Sequence, residues 1–343
     1  MINRMHKHHS RRATVFLSVA LFLLLVGAWL CYCLFNTRSA QQKSVVLIER
    51  ATYYDLLIND KQHIYFKAFT PDSTLSEVSA DSNRVAKALS YSNGCWFYDM
   101  PLLPICNGKL LVMSSPRLPA VVVKPTDLQT LLQKTHDALS QKMERRDAQC
   151  TELKYYLDTH NVQDEGYDMI VRQYHKVKAA LDSLRNTAQL LSGIKSSDRL
   201  SLQYRIRYGV LDAYNPSAKR KIECRVLRHS TDYSVSVLQT NDKITPDGMH
   251  PIHLLSLIPR FSAPNDLFFT TSVPNHNHYQ FSTQNLSPVV IPTSIRTDSS
   301  CSAPDIALCD GAPVFSSRGV LHGFMVGGKL LNLRQIIRFS DEN

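Results

Sequence analysis

The sequence predicts a mainly β protein with an inserted α-helical hairpin, carried behind an N-terminal transmembrane helix. Three observations lead to that class. Ala13–Phe35 is a run of 23 residues without a charge. Between Pro125 and Pro216 lies a proline-free stretch rich in Leu, Lys, Gln, Ala and Asp. On both sides of that stretch, short apolar runs are bounded by Pro, Asn, Asp and Gly, the punctuation of strands.

The apolar run comes first in the chain. As a helix it spans roughly 34 Å, enough for a hydrocarbon core of about 30 Å. Cleaved signal peptides carry a shorter apolar run and a small-residue site; the nearest match here is Ser39-Ala40. Arg4, Lys7, Arg11 and Arg12 precede the run, and only Arg38 and Lys43 closely follow it. The positive-inside rule then makes 1–12 a cytoplasmic tail, 13–35 a single-pass anchor in the bilayer, and the remainder extracytoplasmic. In a bacterium this places the protein in the inner membrane with its C-terminal region in the periplasm. The net charge is +10, but beyond residue 35 there are 35 basic against 29 acidic residues. A surplus so thin predicts no nucleic-acid partner.

Residues 44–124 read as the first part of a β domain, with apolar runs at Val45–Glu49, Ile64–Phe69, Cys95–Tyr98 and Leu110–Met113. Residues 125–195 read as the hairpin. Leu128, Leu131, Leu132, Leu139, Met143, Leu153 and Leu157 recur at helical spacing, and after a break at 160–166 so do Ile170, Val171, Tyr174, Val177, Leu181, Leu184, Ala188 and Leu191. Pro125 suits a first turn, Asp164 a cap of the second helix and Gly193 a stop. An antiparallel coiled coil roughly 45–50 Å long follows, projecting from the body, with a globular helical domain as the alternative. Tyr155, Tyr156, Tyr167 and Tyr174 near its tip form either an exposed partner surface or packing within the hairpin. Homo-oligomerisation through the hairpin is compatible with this pattern. Residues 200–343 complete the β domain, with runs at Tyr204–Leu211, Ile222–Arg228, Ser234–Gln239, Leu267–Thr271, Val289–Ile291, Val314–Ser316 and Val320–Val326.

Two cysteine pairs, Cys95/Cys106 and Cys301/Cys309, are spaced to close short loops by disulfide bonds in an oxidising compartment; buried free thiols are the alternative. His250/His253 and His276/His278, with Asp266 or Asp305, have zinc-ligand chemistry, but Asn275-His276-Asn277-His278 follows Pro274 as a polar turn. No metal and no cofactor is expected.

The C-terminal stretch Cys309-Asp310-Gly311-Ala312-Pro313-Val314-Phe315-Ser316-Ser317-Arg318-Gly319-Val320-Leu321-His322-Gly323-Phe324 resembles the active-site segment of trypsin-like serine proteases, especially the bacterial periplasmic type. Ile222–Leu238 is similar to that family's strand pair around the catalytic aspartate. Asn93–Tyr98 and Asn107–Pro116 are similar to the hairpin leading to the catalytic histidine. The resemblance implies a double β-barrel over roughly 90–118 and 200–340, with the helical hairpin inserted after the histidine position.

That family's chemistry needs a serine nucleophile, a histidine base, an orienting carboxylate and an oxyanion hole. The three matched positions hold Pro116, Ser234 (or Asp232 two residues earlier) and Asp310 instead. No catalytic residue is assigned. The resemblance thus implies a degenerate member: a non-catalytic binding or scaffolding protein of a cell envelope, with a protein or peptide partner. Two other readings fit the same residues. One is a serine-type or atypical hydrolase whose catalytic residues align elsewhere, for instance at Ser316, Ser317 and His322. The other is a coiled-coil envelope adaptor whose β portion is an unrelated sandwich.

Overall fold

The structure is a computed structural model that describes residues 2–100, 103–113, 125–195, 197–211, 221–230, 234–254, 267–273, 287–296, 298–304 and 309–336. The chain forms two compact units, Met1–Arg50 with Ser90–Leu118 and Arg207–Asn343, and Ala51–Leu89 with Pro119–Ile206.

The protein is mainly β. One sheet has the order β2-β1-β5-β6-β9-β8-β7, and β7 returns to β1, closing a six-stranded barrel with β2 outside the ring. Its strands are β1 (Val45–Ile58), β2 (Gln62–Phe66), β5 (Ala88–Trp96), β6 (Lys109–Met113), β7 (Leu200–Leu211), β8 (Lys221–His229) and β9 (Val235–Thr240). Two short strands, β3 (Ala68–Phe69) and β4 (Leu75–Ser76), pair with each other. The other sheet has the order β12-β11-β10-β13-β14-β15, built from β10 (Phe268–Ser272), β11 (Val289–Ile295), β12 (Cys301–Ser302), β13 (Pro313–Ser316), β14 (Leu321–Val326) and β15 (Lys329–Asn332). Its ends meet where Cys301 N–H donates to Gly328 O at 2.9 Å and Leu330 N–H to Ser299 O at 2.8 Å, so this second barrel is nearly closed. Two barrel-like sheets in one chain agree with a double β-barrel.

Strand positions follow the apolar runs, with two large differences: β5 covers Ala88–Trp96 where the sequence predicts Cys95–Tyr98, and β1 runs well past its predicted end. β1 is 14 residues long, where the sequence predicts a strand ending at Glu49. The charged Glu49-Arg50 step looks like a strand end, but Glu49 is paired with Lys221 and Arg50 is buried. The following alternation of Tyr54, Leu56 and Ile58 then continues the same strand into a second core.

In the first unit, Cys95, Phe97, Leu111, Met113, Val235, Val237, Phe315, Leu321, Phe324 and Ile336 form one cluster. Burying each large side chain contributes about 1.5–3 kcal/mol. Of the second unit, Tyr54, Leu56, Ile58, Ile64, Phe66 and Leu75 pack with Leu128, Leu191 and Leu200. Leu128 belongs to α3 (Pro125–Thr159) and Leu191 to α4 (Tyr167–Ser192), the two arms of the predicted hairpin.

The hairpin is therefore not a bare projection. Its root completes a core: Leu128 and Leu191 are buried together with Phe66 and Leu75, and the Thr135 hydroxyl accepts the Leu75 N–H at 2.9 Å. Its tip is exposed, with Tyr155, Val162 and Met169 at 71%, 73% and 62%, and nearer the root Arg185 of α4 pairs with Asp147 of α3 at 2.9 Å. Asp164 does not cap α4; its carboxylate accepts the Asn161 N–H at 2.8 Å within the connecting turn, and Gly166, at φ 86°, takes the cap position.

At the N-terminus, α1 (Ile2–Leu34) is followed by α2 (Arg38–Ser44). No single described helix is long and apolar enough to cross a membrane; Leu17–Cys33 and Arg38–Ser44, bent by 56°, pass that test only together. The five consecutive residues Leu21, Phe22, Leu23, Leu24 and Leu25 are 59% to 72% exposed, so α1 shows apolar side chains around its whole circumference.

Candidate functional site

Of the three positions matched to the protease triad, Pro116 lies outside the described residues, as do Asp232, Asp266, His276, His278 and Asp305. Ser234 and Asp310 are both described. They are held by different hairpins of different sheets.

Asp310 sits just before β13. Its carboxylate accepts the Gly327 N–H at 2.7 Å, in the turn between β14 and β15, and its carbonyl accepts the Asn93 N–H at 2.8 Å. The next residue, Gly311, has φ 82°, and a Cβ there would lie 2.0 Å from the Asn93 carbonyl oxygen. The segment is thus pressed against β5, and only glycine fits both the left-handed conformation and the approach. Asp310 is engaged in shaping a turn, which is a different role from a charge standing in an oxyanion hole.

Asn93 is the residue that sequence reading missed. It reads as a turn signal before Gly94, yet it lies inside β5 and is fully buried. Its side chain donates to Ser272 Oγ at 3.2 Å and accepts the Val273 N–H at 2.8 Å. Through its side-chain amide and its backbone N–H, this one residue ties β5, β10 and the Asp310 segment together. No sequence signal separates this asparagine from a turn former, because its partners are more than 170 residues away.

Ser234 begins the return into β9. Its hydroxyl lies 3.5 Å from that of Ser230, whose Oγ accepts the Val235 N–H at 3.0 Å. Ser316, the alternative nucleophile, is buried, and its Oγ accepts the Val320 N–H at 3.2 Å in the β13–β14 turn. Both serines build turns.

The expected disulfides are not formed. Cys95, Cys106, Cys301 and Cys309 are buried, and none of them is in a disulfide bond. Cys95 faces the apolar cluster from within β5 and donates to the Trp96 carbonyl at 3.7 Å, while Cys106 donates to the Lys109 carbonyl at 3.6 Å. Cys301 is held in a separate cluster with Ala312, Val314 and Met325. Each thiol is thus directed by its own strand or turn. Burial pushes the Cys95 thiol up to about 12, and it raises Cys106 and Cys301 as well. Such thiols are poor nucleophiles at neutral pH.

A second polar constellation went unpredicted. Asp55, on β1 and 2% exposed, accepts from His63 Nδ1 at 2.8 Å and from Arg205 Nε and Nη2 at 3.1 and 3.0 Å. The His63 ring stacks on Tyr65. Among the described residues no serine, threonine or cysteine side chain hydrogen-bonds to His63; the buried Asp55 carboxylate is held by the half-exposed His63 ring and Arg205 guanidinium.

Among the described residues no group of three or more His, Cys, Asp or Glu is placed to hold a metal ion. His253 is buried against Tyr98, with ring centroids 4.3 Å apart, whereas burial followed by Lys43 lowers the His250 pKa. Of the tyrosines near the hairpin tip, Tyr155 is 71% exposed, Tyr156 stacks on His160 at 3.8 Å and Tyr174 lies under Lys178. Tyr155 is the most exposed of these three, and Tyr167 is half-buried. Comparison with family models and with curated protein sequences finds no match to this chain.

Proposed function

We propose that this is a membrane-anchored, extracytoplasmic protein built on a degenerate trypsin-like double β-barrel, and that it binds or scaffolds a protein or peptide partner in a cell envelope without hydrolysing it. The observation that carries the reading is Asp310. At the position matched to the nucleophile stands a carboxylate already committed to the Gly327 amide. Acyl transfer at neutral pH needs an activated hydroxyl beside a base, and a hydrogen-bonded carboxylate supplies neither.

The anchor reading rests on the uncharged run Ala13–Phe35 and on the exposed apolar ring of α1, a surface that water tolerates poorly over such a length. The partner surface is the distal hairpin around Tyr155, which also offers a route to homo-oligomers. Full-length protein assayed against casein and peptide esters should give hydrolysis no faster than buffer. Asp310→Ser should not restore activity, because the position matched to the base holds Pro116. Turnover by either protein would replace this reading with the hydrolase reading.

A further inference from the structure

The tip of the helical hairpin keeps large apolar side chains in water: Tyr155 near the end of α3, Val162 in the connecting turn and Met169 in the first turn of α4. The turn that carries them is braced by its own hydrogen bonds. The Tyr167 N–H donates to the Asp164 carbonyl at 3.2 Å, and the Met169 N–H to the Gly166 carbonyl at 3.0 Å. An apolar tip held in shape and left uncovered is a contact surface.

Charge decides what covers it. Residues 158–168 carry Asp158, Asp164, Glu165 and Asp168, all exposed, and no Lys or Arg. The adjoining shaft, 142–157 of α3 and 170–186 of α4, carries eight Lys/Arg against four Asp/Glu. Among the described residues, the ion pairs that Lys or Arg make along this shaft are those of Arg185 with Asp147 and Asp182. Lys142, Arg145, Arg146, Arg172, Lys176 and Lys178 are exposed and, among the described residues, in no ion pair. Arg172, one turn beyond Asp168, donates to the Asp168 backbone carbonyl at 3.3 Å instead of to its carboxylate. One hairpin thus leaves an acidic turn and a basic shaft unmatched.

Two hairpins can match them. Along α4, Arg185 lies roughly 27 Å from the first residue, Tyr167, and it pairs with Asp147 of α3, next to Arg145 and Arg146. An antiparallel overlap of about that length sets the acidic turn of one copy against Arg145 and Arg146 of the other. Two-fold symmetry then repeats the contact in reverse. Parallel hairpins would instead set turn against turn, with like charges opposed.

Resting on the reading of the hairpin tip as the partner surface, we propose that the partner is a second copy of this chain. The two hairpins lie antiparallel, each acidic turn against the other's basic shaft. Burial of Tyr155, Val162 and Met169 in the overlap stabilises the pair, and the charges fix its direction and register.

The test measures the mass of full-length protein in detergent micelles by light scattering over a dilution series. One variant reverses the turn (Asp158→Lys, Glu165→Lys, Asp168→Lys), a second reverses the shaft (Arg145→Glu, Arg146→Glu, Lys176→Glu, Lys178→Glu), and a third combines them. The expected result is a wild-type dimer, weakened about tenfold or more by either reversal and restored by both together. A monomeric wild type, or a dimer that the reversals leave unchanged, would overturn the proposal; a dimer held through α1 alone would behave in the second way. Should a reversal unfold the helices, p-benzoylphenylalanine at Val162 of otherwise unaltered protein gives a second measurement. The expected adduct joins two copies and maps to 142–157 or 170–186. An adduct only to a different protein, in cells that naturally make this chain, would overturn self-pairing and leave the tip as a partner surface. No protein adduct at all would overturn both.

Discussion

On the proposed reading, single residues separate a protease-like barrel from protease chemistry. Asp310 stabilises the β14–β15 turn through the Gly327 amide. Asp310→Ala should lower stability by about 0.5–1.5 kcal/mol, the net worth of a hydrogen bond whose exposed donor can turn to water, measured as a shift in the denaturant midpoint. Gly311→Ala should cost more, because its Cβ meets backbone that cannot swing aside. The Cys95 thiol gives a pH signature. Its pKa is pushed up to about 12 in the folded state by burial, above the ordinary thiol value. Below about pH 8.5 both folded and unfolded states hold the proton and the contribution is intact. Above that the unfolded state releases its proton first, so stability falls with rising pH up to about 12, by up to about 1.4 kcal/mol per pH unit for this group. Chemical denaturation between pH 8 and 11 should show this slope, and Cys95→Ala should reduce it. An unchanged slope would show that Cys95 does not hold its proton in the folded state.

Among the elements, the helical pair has two distinct parts. Its root shares a core with Tyr54, Leu56 and Phe66, while its tip, around Tyr155, Val162 and Met169, stands in solvent. Removing 143–180 and rejoining the helices with a short turn should leave the thermal transition nearly unchanged. Removing 126–193 should abolish the cooperative melting of the second unit, because Leu128 and Leu191 leave with it; deletions of equal effect would contradict this division. Helix positions were legible because Leu and Val recur every three to four residues over two long segments, and the bounds Pro125–Thr159 and Tyr167–Ser192 follow that period. Strand positions were legible from apolar runs, as at Lys109–Met113. The continuation of β1 past Arg50 was not, since a buried charge inside a strand looks like a boundary until its neighbours are known. Asn93 and the Asp55–His63–Arg205 group were illegible for the same reason: their meaning lies in partners far along the chain. Cysteine spacing misled, because closeness in sequence does not direct two side chains toward each other.

The molecule as a whole carries two barrel-like sheets behind an N-terminal helix, and the proposed reading makes that helix an anchor and the barrels a protease-like body without the reactive groups. A reporter active only in the cytoplasm, fused after Asn343, should be silent, as the charge asymmetry around Ala13–Phe35 requires. The central claim is the absence of an activated nucleophile. Its most direct measurement is labelling of full-length protein with a fluorophosphonate, followed by peptide mapping of every serine. The account predicts no adduct above that of the heat-denatured protein. An adduct at Ser316, Ser317 or Ser234 that is lost on denaturation would contradict it and identify a working nucleophile.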